Sequence, residues 1–277
     1  MNTLRWAMFG LPGLGSHVLN TSLDNDQGPA IVVHSVSDDF AEFDGERISS
    51  QDPDLRKKLD DAGIDCIVVA GWSSKIQTSD YSGFSKGAWN LHPSLLPKYR
   101  GHNPYFWVIK NGEKETGITA HQLSDEFDKG PILLQKSIPI RDNETIGSIW
   151  NRLSILAGEV SKDLLERIAT GDTSCTAQSE GKHIRASKVA DGNMILTPSF
   201  SREEARRLIQ ASNPFYGAIL LYDHLILKIY EADESGPGPE IPCTDGSLFA
   251  TVVRDDNIGI VTGETFMKLQ NANTFSQ

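Results

Sequence analysis

The 277-residue chain is 39% hydrophobic and 23% charged, a composition typical of a globular protein that buries a core rather than of a disordered chain. Its formal net charge of −11 disfavours nucleic acid as a partner, because an acidic surface repels the phosphate backbone. Cys66, Cys175 and Cys243 form neither a CxxC pair nor a metal-ligand spacing, so we expect reduced thiols and no metal. Since we find neither a signal peptide nor a long apolar span, we expect a soluble cytoplasmic protein with no membrane part.

The first half of the chain alternates apolar segments of strand length with segments of helix length. The predicted strands are residues 4–10, 30–36, 64–71 and 88–92, and the predicted helices are residues 16–23 and 53–63. The strand IDCIVVAG is almost wholly apolar, as expected when helices cover both faces of a sheet. This βαβ order predicts an α/β fold with a Rossmann-like, doubly wound and mainly parallel sheet, where ligands bind at the carboxyl ends of strands.

The middle of the chain continues this domain. The pattern predicts a helix over residues 103–113, strands over 116–123 and 130–140, and a long amphipathic helix from about Glu144 to Ala169. The segment that follows is rich in Ser, Thr, Gly and Asp, which is typical of a linker. We therefore predict a catalytic domain at 1–175, a linker at 176–195 and a small β domain at 196–277.

The C-terminal part has a different pattern. A helix is predicted over residues 201–212, because Ser201 and Glu204 have the spacing of a capping box. It is followed by strand-like segments with close turns, namely YGAILLY, HLILKIYEA, GSLFATVVR, NIGIVT and TFMKLQ. Short strands with this spacing predict a small antiparallel, barrel-like (OB-like) domain.

Asn90 and His92 are the first candidates for chemistry. They lie two residues apart in AWNLHPSLLPKYRG, so on a strand both side chains point to the same face. An imidazole can exchange a proton near neutral pH, and a carboxamide can stabilise the oxyanion formed from a carbonyl group. The pair alone is weak support for a site, because a histidine at a strand end more often has a structural role.

A second group strengthens this interpretation. The segment TAHQLSDEFDKG places His121 on a predicted strand and three acidic residues, Asp125, Glu126 and Asp128, in the loop that follows. A solvated turn would explain such acids. Asp128, however, stands where the chain turns back toward the sheet, and a carboxylate there could orient His92 and move protons.

These two segments carry a family resemblance. NLHPSLLPKYRG followed by TGITAHQLSDEFDKGPILLQ resembles the folate-dependent formyltransferase family, which includes glycinamide ribonucleotide, methionyl-tRNA and sugar N-formyltransferases. That family has the pattern N-x-H-x-S-L-L-P-x-x-x-G and then an aspartate in a D-x-G context, here 36 residues after His92. The resemblance implies that Asn90, His92 and Asp128 are catalytic and that N10-formyltetrahydrofolate is the formyl donor.

Further residues follow from the same resemblance. AGWSSKI, residues 70–76, looks like the segment that lines the family's pterin pocket, and RRLIQASNPFYGAILLY resembles the start of the C-terminal domain of the methionyl-tRNA and sugar branches. Tyr216 replaces a proline common in that second motif. The implied donor-binding residues are Trp72, Ser74, Lys75, Ile76, Ser94, Leu96, His121, Leu123 and Ser124. The implied acceptor-binding residues are Arg100, Gly101, Asn103 and Tyr105.

The resemblance also implies a mechanism that needs no metal. An amine attacks the activated formyl group, while Asn90 and His92 donate to the oxyanion and Asp128 orients His92 and relays the proton.

Two readings from other functional classes compete with formyl transfer. GLPGLGS at residues 10–16 could be the glycine-rich turn of a nicotinamide oxidoreductase, with Asp38 or Asp39 as its acidic ribose partner. That reading leaves residues 90–130 unexplained. A binding module without catalysis is expected to have lost one of the three catalytic residues, and all three are present.

The amine that accepts the formyl group remains open. Residues 176–277 contain 9 Lys and Arg against 13 Asp and Glu, a net charge of −4, which disfavours methionyl-tRNA. A small-molecule amine is favoured, preferably an amino sugar attached to a nucleotide, with a hydroxyornithine-type siderophore precursor as the alternative. Tyr105, Phe106 and Trp107 supply either a stacking surface for this acceptor or part of the core. A homodimer stays open.

Overall fold

The computed structural model describes residues 4–35, 40, 43–179 and 183–271, which form two compact units. Unit 1 takes its described residues from Met1–Pro104, Glu115–Pro139 and Trp150–Ala186. Unit 2 takes its described residues from Tyr105–Lys114, Ile140–Ile149 and Ser187–Gln277.

The strands and helices follow the predicted alternation through most of the chain. The strands are β1 (Trp6–Gly10), β2 (Ile31–His34), β3 (Glu46–Ser49), β4 (Cys66–Ala70), β5 (Ala88–His92), β6 (Arg100–Gly101), β7 (Glu115–Gln122), β8 (Ile132–Pro139), β9 (Arg185–Ala186), β10 (Ala218–Tyr222), β11 (Leu225–Asp233), β12 (Glu240–Cys243), β13 (Gly246–Asp255) and β14 (Gly259–Thr262). The α-helices are α1 (Leu14–Asp24), α2 (Leu55–Asp61), α3 (Thr78–Tyr81), α4 (Pro104–Lys110), α5 (Ile146–Thr170), α6 (Arg202–Ser212) and α7 (Gly263–Asn271).

Unit 1 is built around one large sheet. In the described part of the chain this sheet has seven strands in the order β3-β2-β1-β4-β5-β7-β8. The first five run parallel, and β7 and β8 are antiparallel to their neighbours. All residues of β1 and β4 are buried, because both faces of the sheet are covered. The predicted α/β fold with a mainly parallel sheet is therefore confirmed.

Two short strands in unit 1 were not predicted as strands, yet they shape the candidate site. β6 pairs in parallel with β9, which places Arg100 opposite Arg185 and Gly101 opposite Ala186. The segment predicted as a linker thus begins by packing on unit 1, where Thr176 also bridges to Ile132 of β8. Sequence patterns did not reveal these strands, because two-residue strands carry no periodicity.

Unit 2 contains the second sheet. Its strands are antiparallel in the order β10-β11-β13-β12, with β14 also paired to β13, so the predicted small antiparallel domain is confirmed. The predicted capping box at the start of α6 is also confirmed, since Ser201 Oγ accepts from the N–H of Glu204 and the Glu204 carboxylate accepts from the N–H of Ser201.

One strand prediction in unit 2 is wrong. TFMKLQ lies in helix α7 rather than in a strand, and the strand beside β13 is instead β12. The helix has its own start signal, because Thr262 Oγ1 accepts from the N–H of Thr265 at 3.2 Å. Phe266 is fully buried and anchors the helix in unit 2. Among the described residues, no helix is both long and apolar enough to cross a membrane.

Candidate active site

Asn90, His92 and Asp128 come together in unit 1. Asn90 and His92 lie on β5, and Asp128 lies in the loop between β7 and β8. Asp128 Oδ1 lies 3.4 Å from Asn90 Nδ2 and 3.5 Å from His92 Nδ1. His121 is opposite Asn90 in the pairing of β5 with β7, and its Nε2 lies 3.7 Å from the same carboxylate oxygen. Alternation along β5 and register across the sheet therefore gather Asn90, His92 and His121 on one face, and the loop between β7 and β8 brings Asp128 to them.

The hydrogen-bond partners define which ring nitrogens carry protons. His121 Nδ1 donates to the carbonyl of Gln122 at 2.8 Å, so its Nε2 accepts from Asn90 Nδ2 at 3.0 Å. His92 Nε2 donates to the carbonyl of Tyr99 at 2.9 Å, which leaves His92 Nδ1 facing Asp128. These protons are assigned because a carbonyl oxygen can only accept a hydrogen bond, so the ring nitrogen that faces it must be the donor.

Backbone contacts fix the Asp128 carboxylate. The N–H of Gly101 donates to Asp128 Oδ2 at 2.8 Å, a charge-assisted hydrogen bond. Gly101 has φ +112°, and a Cβ at this position would collide with the carbonyl oxygen of Ala186. Asp128 itself has φ +57°, in the left-handed region that aspartate and asparagine tolerate better than most residues. Both conformations bring the amide and the carboxylate together.

The electrostatics of the cluster favour an ionised carboxylate beside a neutral imidazole. Burial by itself raises the pKa of Asp128, but electrostatic attraction to His92 and His121 and the hydrogen bond from the Gly101 N–H outweigh it, so the pKa lies below its usual range. Burial lowers the pKa of His92, and Asp128 opposes this shift only in part. At neutral pH neither His92 Nδ1 nor Asp128 Oδ1 carries a proton, so the pair can accept one.

A cavity opens beside this cluster. Its walls come from the segment after β4 and from the loop between β7 and β8, with Asn90, His121 and Asp128 among the lining residues. The remaining lining residues are Val69, Trp72, Ser74, Lys75, Ile76, Tyr81, Leu123, Ser124, Asp125, Glu126 and Phe127. Phe127 lies at this cavity with 51% of its surface exposed. The lining combines apolar side chains with a larger number of polar and charged ones, and such a cavity can both bury and orient a small organic ligand.

The structure places most of the expected donor-binding residues at this cavity. Those that line it are Trp72, Ser74, Lys75, Ile76, His121, Leu123 and Ser124. Ser94 and Leu96 do not line it. Ser94 is fully buried and its Oγ donates to the carbonyl of Lys98, while the Leu96 N–H donates to Thr119 Oγ1. These two residues stabilise the turn that follows β5.

The residues expected to bind the acceptor are dispersed. Gly101 contacts Asp128 through its N–H, and Arg100 Nε and Nη2 both donate to Gln178 Oε1, at 2.9 and 2.6 Å. Asn103 has φ +51° at the end of unit 1. The remaining one, Tyr105, lies on α4 within unit 2.

The two other aromatic residues of α4 have different surroundings within unit 2. Phe106 is fully buried in that unit, and the Trp107 indole N–H donates to the carbonyl of Ser187 at 2.8 Å. Phe106 is therefore a core residue, so Tyr105 and Trp107 remain as candidates for a surface on which the acceptor stacks.

The glycine-rich turn at residues 10–16 is filled by protein. A Cβ at Gly13 would collide with the Trp150 ring, so this turn does not form an open cradle for a pyrophosphate. Asp38 and Asp39, the acidic partners of the oxidoreductase reading, lie outside the described residues. Across the described part of the chain, no group of three His, Cys, Asp or Glu side chains has the arrangement of a metal site, and all three cysteines are free.

Sequence reasoning missed two residues that belong to this region. Phe127 lines the cavity, but in the sequence it is a single apolar residue in an acidic turn, a pattern that does not indicate a binding site. Gln178 contacts the Asp128 loop from the segment predicted as a linker, and its Nε2 donates to the Asp128 carbonyl at 2.7 Å. No sequence signal identifies this glutamine, since its partners are brought together by the bridge between Thr176 and Ile132 and by the pairing of β6 with β9.

Comparisons with known proteins agree with this arrangement. A family profile described as formyl transferase matches residues 20–164, just over half of the chain. A methionyl-tRNA formyltransferase from Lactobacillus gasseri is 33% identical over 168 residues, which cover 61% of this chain and 54% of that protein. The chain thus spans about half the length of this curated relative.

Solved structures share the fold at lower identity. HypX from Aquifex aeolicus, determined in complex with tetrahydrofolic acid, has a TM-score of 0.70 at 20% identity, over 97% of this chain and 47% of that chain. A sugar N-formyltransferase from a Shewanella species has a TM-score of 0.68 at 19% identity, over 85% of this chain and 100% of that chain.

Proposed function

We propose that this chain, which belongs to the formyl transferase family, transfers a formyl group from N10-formyltetrahydrofolate to the amine of a small molecule. The observation that carries this proposal is the convergence of Asn90, His92 and Asp128 beside the cavity, with the carboxylate oxygen within 3.5 Å of both partners. An amide donor, an imidazole and a carboxylate are the groups that acyl transfer to an amine requires.

The cavity suits the donor. A flat pterin ring needs apolar walls and a polar edge, and Val69, Ile76 and Leu123 supply the walls while Ser124 and Asp125 supply polar atoms. The donor contributes a formyl group on an aniline-like nitrogen, which is an activated amide open to attack by an amine. In this proposal Trp72 and Phe127 complete the walls of the donor site.

Asn90 is assigned to the formyl oxygen. Its Nδ2 donates to His121 Nε2 at 3.0 Å, while its contact with Asp128 Oδ1 is longer, at 3.4 Å. The shorter bond fixes the orientation of the amide and the longer one leaves an N–H available to a carbonyl oxygen. A donor held in place before the reaction stabilises the charge that develops on that oxygen.

His92 and Asp128 are assigned to the proton. Both ring nitrogens of His92 have partners within unit 1, Tyr99 on one side and Asp128 on the other, so His92 acts through Asp128 rather than on the formyl oxygen. The attacking amine must lose a proton and the leaving folate nitrogen must gain one. A carboxylate beside a neutral imidazole can accept that proton and return it.

The proposed acceptor is an amino sugar attached to a nucleotide. The net charge of −4 over residues 176–277 supports a small molecule, because a domain that binds tRNA is expected to be basic. A sugar N-formyltransferase is among the solved structures that share the fold. The methionyl-tRNA formyltransferases among the relatives keep methionyl-tRNA as the second candidate.

The acceptor can be identified by incubating the protein with N10-formyltetrahydrofolate and a panel of amines, and measuring tetrahydrofolate release. The panel contains a nucleotide-linked amino sugar, hydroxyornithine and methionyl-tRNA. We expect release with the amino sugar and none without an amine. Release with methionyl-tRNA alone would overturn the proposed acceptor but keep formyl transfer, whereas no release with any amine would contradict the proposed function.

The pH dependence of transfer is expected to have its acid limb below the ordinary histidine pKa of about 6.5. Because burial lowers the pKa of His92, the His92–Asp128 pair takes up its extra proton only at lower pH, and that proton removes the acceptor for the amine. The measurement is kcat/KM from about pH 5 to about pH 9. A rate that stays constant down to the lowest pH would contradict the assigned proton acceptor.

A further inference from the structure

We propose that Arg100 and Gln178 form a clamp that positions Asp128 for the reaction. The clamp lies wholly within unit 1 and joins β6 to the loop between β7 and β8. Arg100, which the family resemblance implies as an acceptor-binding residue, donates here to Gln178, so we assign both residues a positioning role. The activity measurement in the test below rests on the proposed function, whereas the NMR measurement of the His92 pKa does not.

The Gln178 amide group holds the backbone on both sides of Lys129. Its Nε2 donates to the carbonyl of Asp128 at 2.7 Å and to the carbonyl of Gly130 at 2.8 Å. A primary amide has two N–H donors, so both are used here. Gly130 packs closely against the end of β7, because a Cβ at that position would collide with the carbonyl oxygen of Gln122. The segment that carries the carboxylate is therefore fixed at two carbonyl groups, those of Asp128 and Gly130.

Arg100 holds the other end of the glutamine. Its Nε and Nη2 both donate to Gln178 Oε1, at 2.9 and 2.6 Å, so every polar atom of the Gln178 side chain has a partner. The next residue, Gly101, donates its N–H to Asp128 Oδ2 at 2.8 Å. These contacts close a ring that runs from the Asp128 carboxylate through Gly101, Arg100 and Gln178 to the Asp128 carbonyl. Asp128 is thus held at both its side chain and its backbone.

Asp128 needs such a support. Its φ of +57° lies in a region that costs free energy for any residue other than glycine. Its neighbours Asp125, Glu126 and Phe127 are exposed, so they contribute little burial to hold the loop in place. His92 and His121 are the titratable groups in contact with the carboxylate. A shift of about 1 Å at a reacting group is sufficient to cost about 10²-fold in rate, so the clamp has a catalytic consequence.

The test compares Gln178→Leu, Arg100→Leu and the double variant with the wild-type chain. Gln178→Leu removes all four contacts while keeping nearly the same volume, so we expect kcat to fall about tenfold or more with little change in KM. The kcat of the double variant is expected to be no lower than that of the less active single variant, because the two residues act as one unit. Arg100→Lys tests the same end of the clamp with the charge kept, since lysine lacks the forked pair of donors.

Arg167→Leu is the matched control. Like Gln178, Arg167 of unit 1 binds a backbone carbonyl that is distant in sequence: its Nη1 donates to Leu133 O at 3.0 Å. Its Nε also pairs with Asp172. It does not contact the Asp128 loop. We expect this variant to lower the melting temperature and to keep the wild-type kcat.

A second readout does not depend on activity. The imidazole pKa of His92 can be followed by NMR of the histidine rings, with His92→Gln used to assign the signal. If the clamp holds Asp128 beside His92, Gln178→Leu moves the carboxylate away and the His92 pKa falls, because a nearby negative charge favours the imidazolium. The Arg167→Leu control leaves that pKa in place.

The outcomes separate the clamp from the proposed function. A fall in kcat together with a shifted His92 pKa supports the clamp. A wild-type chain that transfers no formyl group, but shows the shift in Gln178→Leu, supports the clamp and contradicts the proposed function. If the His92 pKa stays at its wild-type value in both Gln178→Leu and Arg100→Lys, the clamp is overturned, whatever happens to the rate.

Discussion

Replacing Asp128 by asparagine is expected to lower kcat/KM by about 10³–10⁴-fold while leaving the fold intact. Asparagine has the same shape and also tolerates the φ of +57°, so the loop keeps its conformation. What is lost is the negative charge that faces His92 Nδ1 at 3.5 Å and accepts from Gly101 N at 2.8 Å. Without it the pair can neither accept the proton of the amine nor favour the imidazolium.

The measurement is steady-state formyl transfer with a melting curve for each protein. Asp163→Asn is the matched control, because Asp163 is an exposed carboxylate of unit 1 that pairs with Lys136 at 2.7 Å and has no contact with the cluster. The control is expected to transfer at the wild-type rate. An Asp128→Asn protein that folds and retains full activity would remove Asp128 from the proposed mechanism.

Replacing His92 by alanine is expected to lower kcat/KM by about 10²–10⁴-fold, the range for loss of a positioned general acid or base. His92 is 4% exposed and bridges Tyr99 O and Asp128, so its removal also leaves a cavity and removes the hydrogen bond to Tyr99 O. Some loss of stability is therefore expected as well. The rate must be measured well below the melting temperature of the variant, so that every molecule assayed is folded.

His224→Ala controls for the loss of a histidine as such. His224 is exposed in the turn between β10 and β11 of unit 2, so this variant should keep both the wild-type rate and the wild-type melting temperature. If folded His92→Ala transfers as fast as the wild type, the proton acceptor must lie elsewhere, and Asp128 alone would have to supply it.

The catalytic candidates could be predicted because their placement depends on short-range rules. Alternation along a strand puts Asn90 and His92 on one face whatever the rest of the fold does. The family pattern then added Asp128. The structure adds what neither source contained, namely that Asn90 is oriented by His121 Nε2 at 3.0 Å and that Tyr99 occupies His92 Nε2.

The supporting contacts could not be predicted, because they join segments far apart in the chain. Gln178 lies 50 residues after Asp128, and the two meet because its segment pairs with unit 1 at Thr176–Ile132 and through β9 and β6. The assignment of TFMKLQ to a strand was wrong for a related reason: its short mixture of apolar and charged residues fits either period. The cap at Thr262 and the burial of Phe266 decide in favour of the helix.

The central claim is that this chain moves a formyl group from folate to an amine through the Asn90, His92 and Asp128 cluster. The most direct measurement uses N10-formyltetrahydrofolate labelled with carbon-13 in its formyl group, together with the amine identified from the panel, and follows the label by NMR. The account predicts that the label appears in the formamide of the product with the wild-type chain and stays on the folate with Asp128→Asn. Label in the product at the same rate with both proteins, or in formate alone with the wild type, would contradict it.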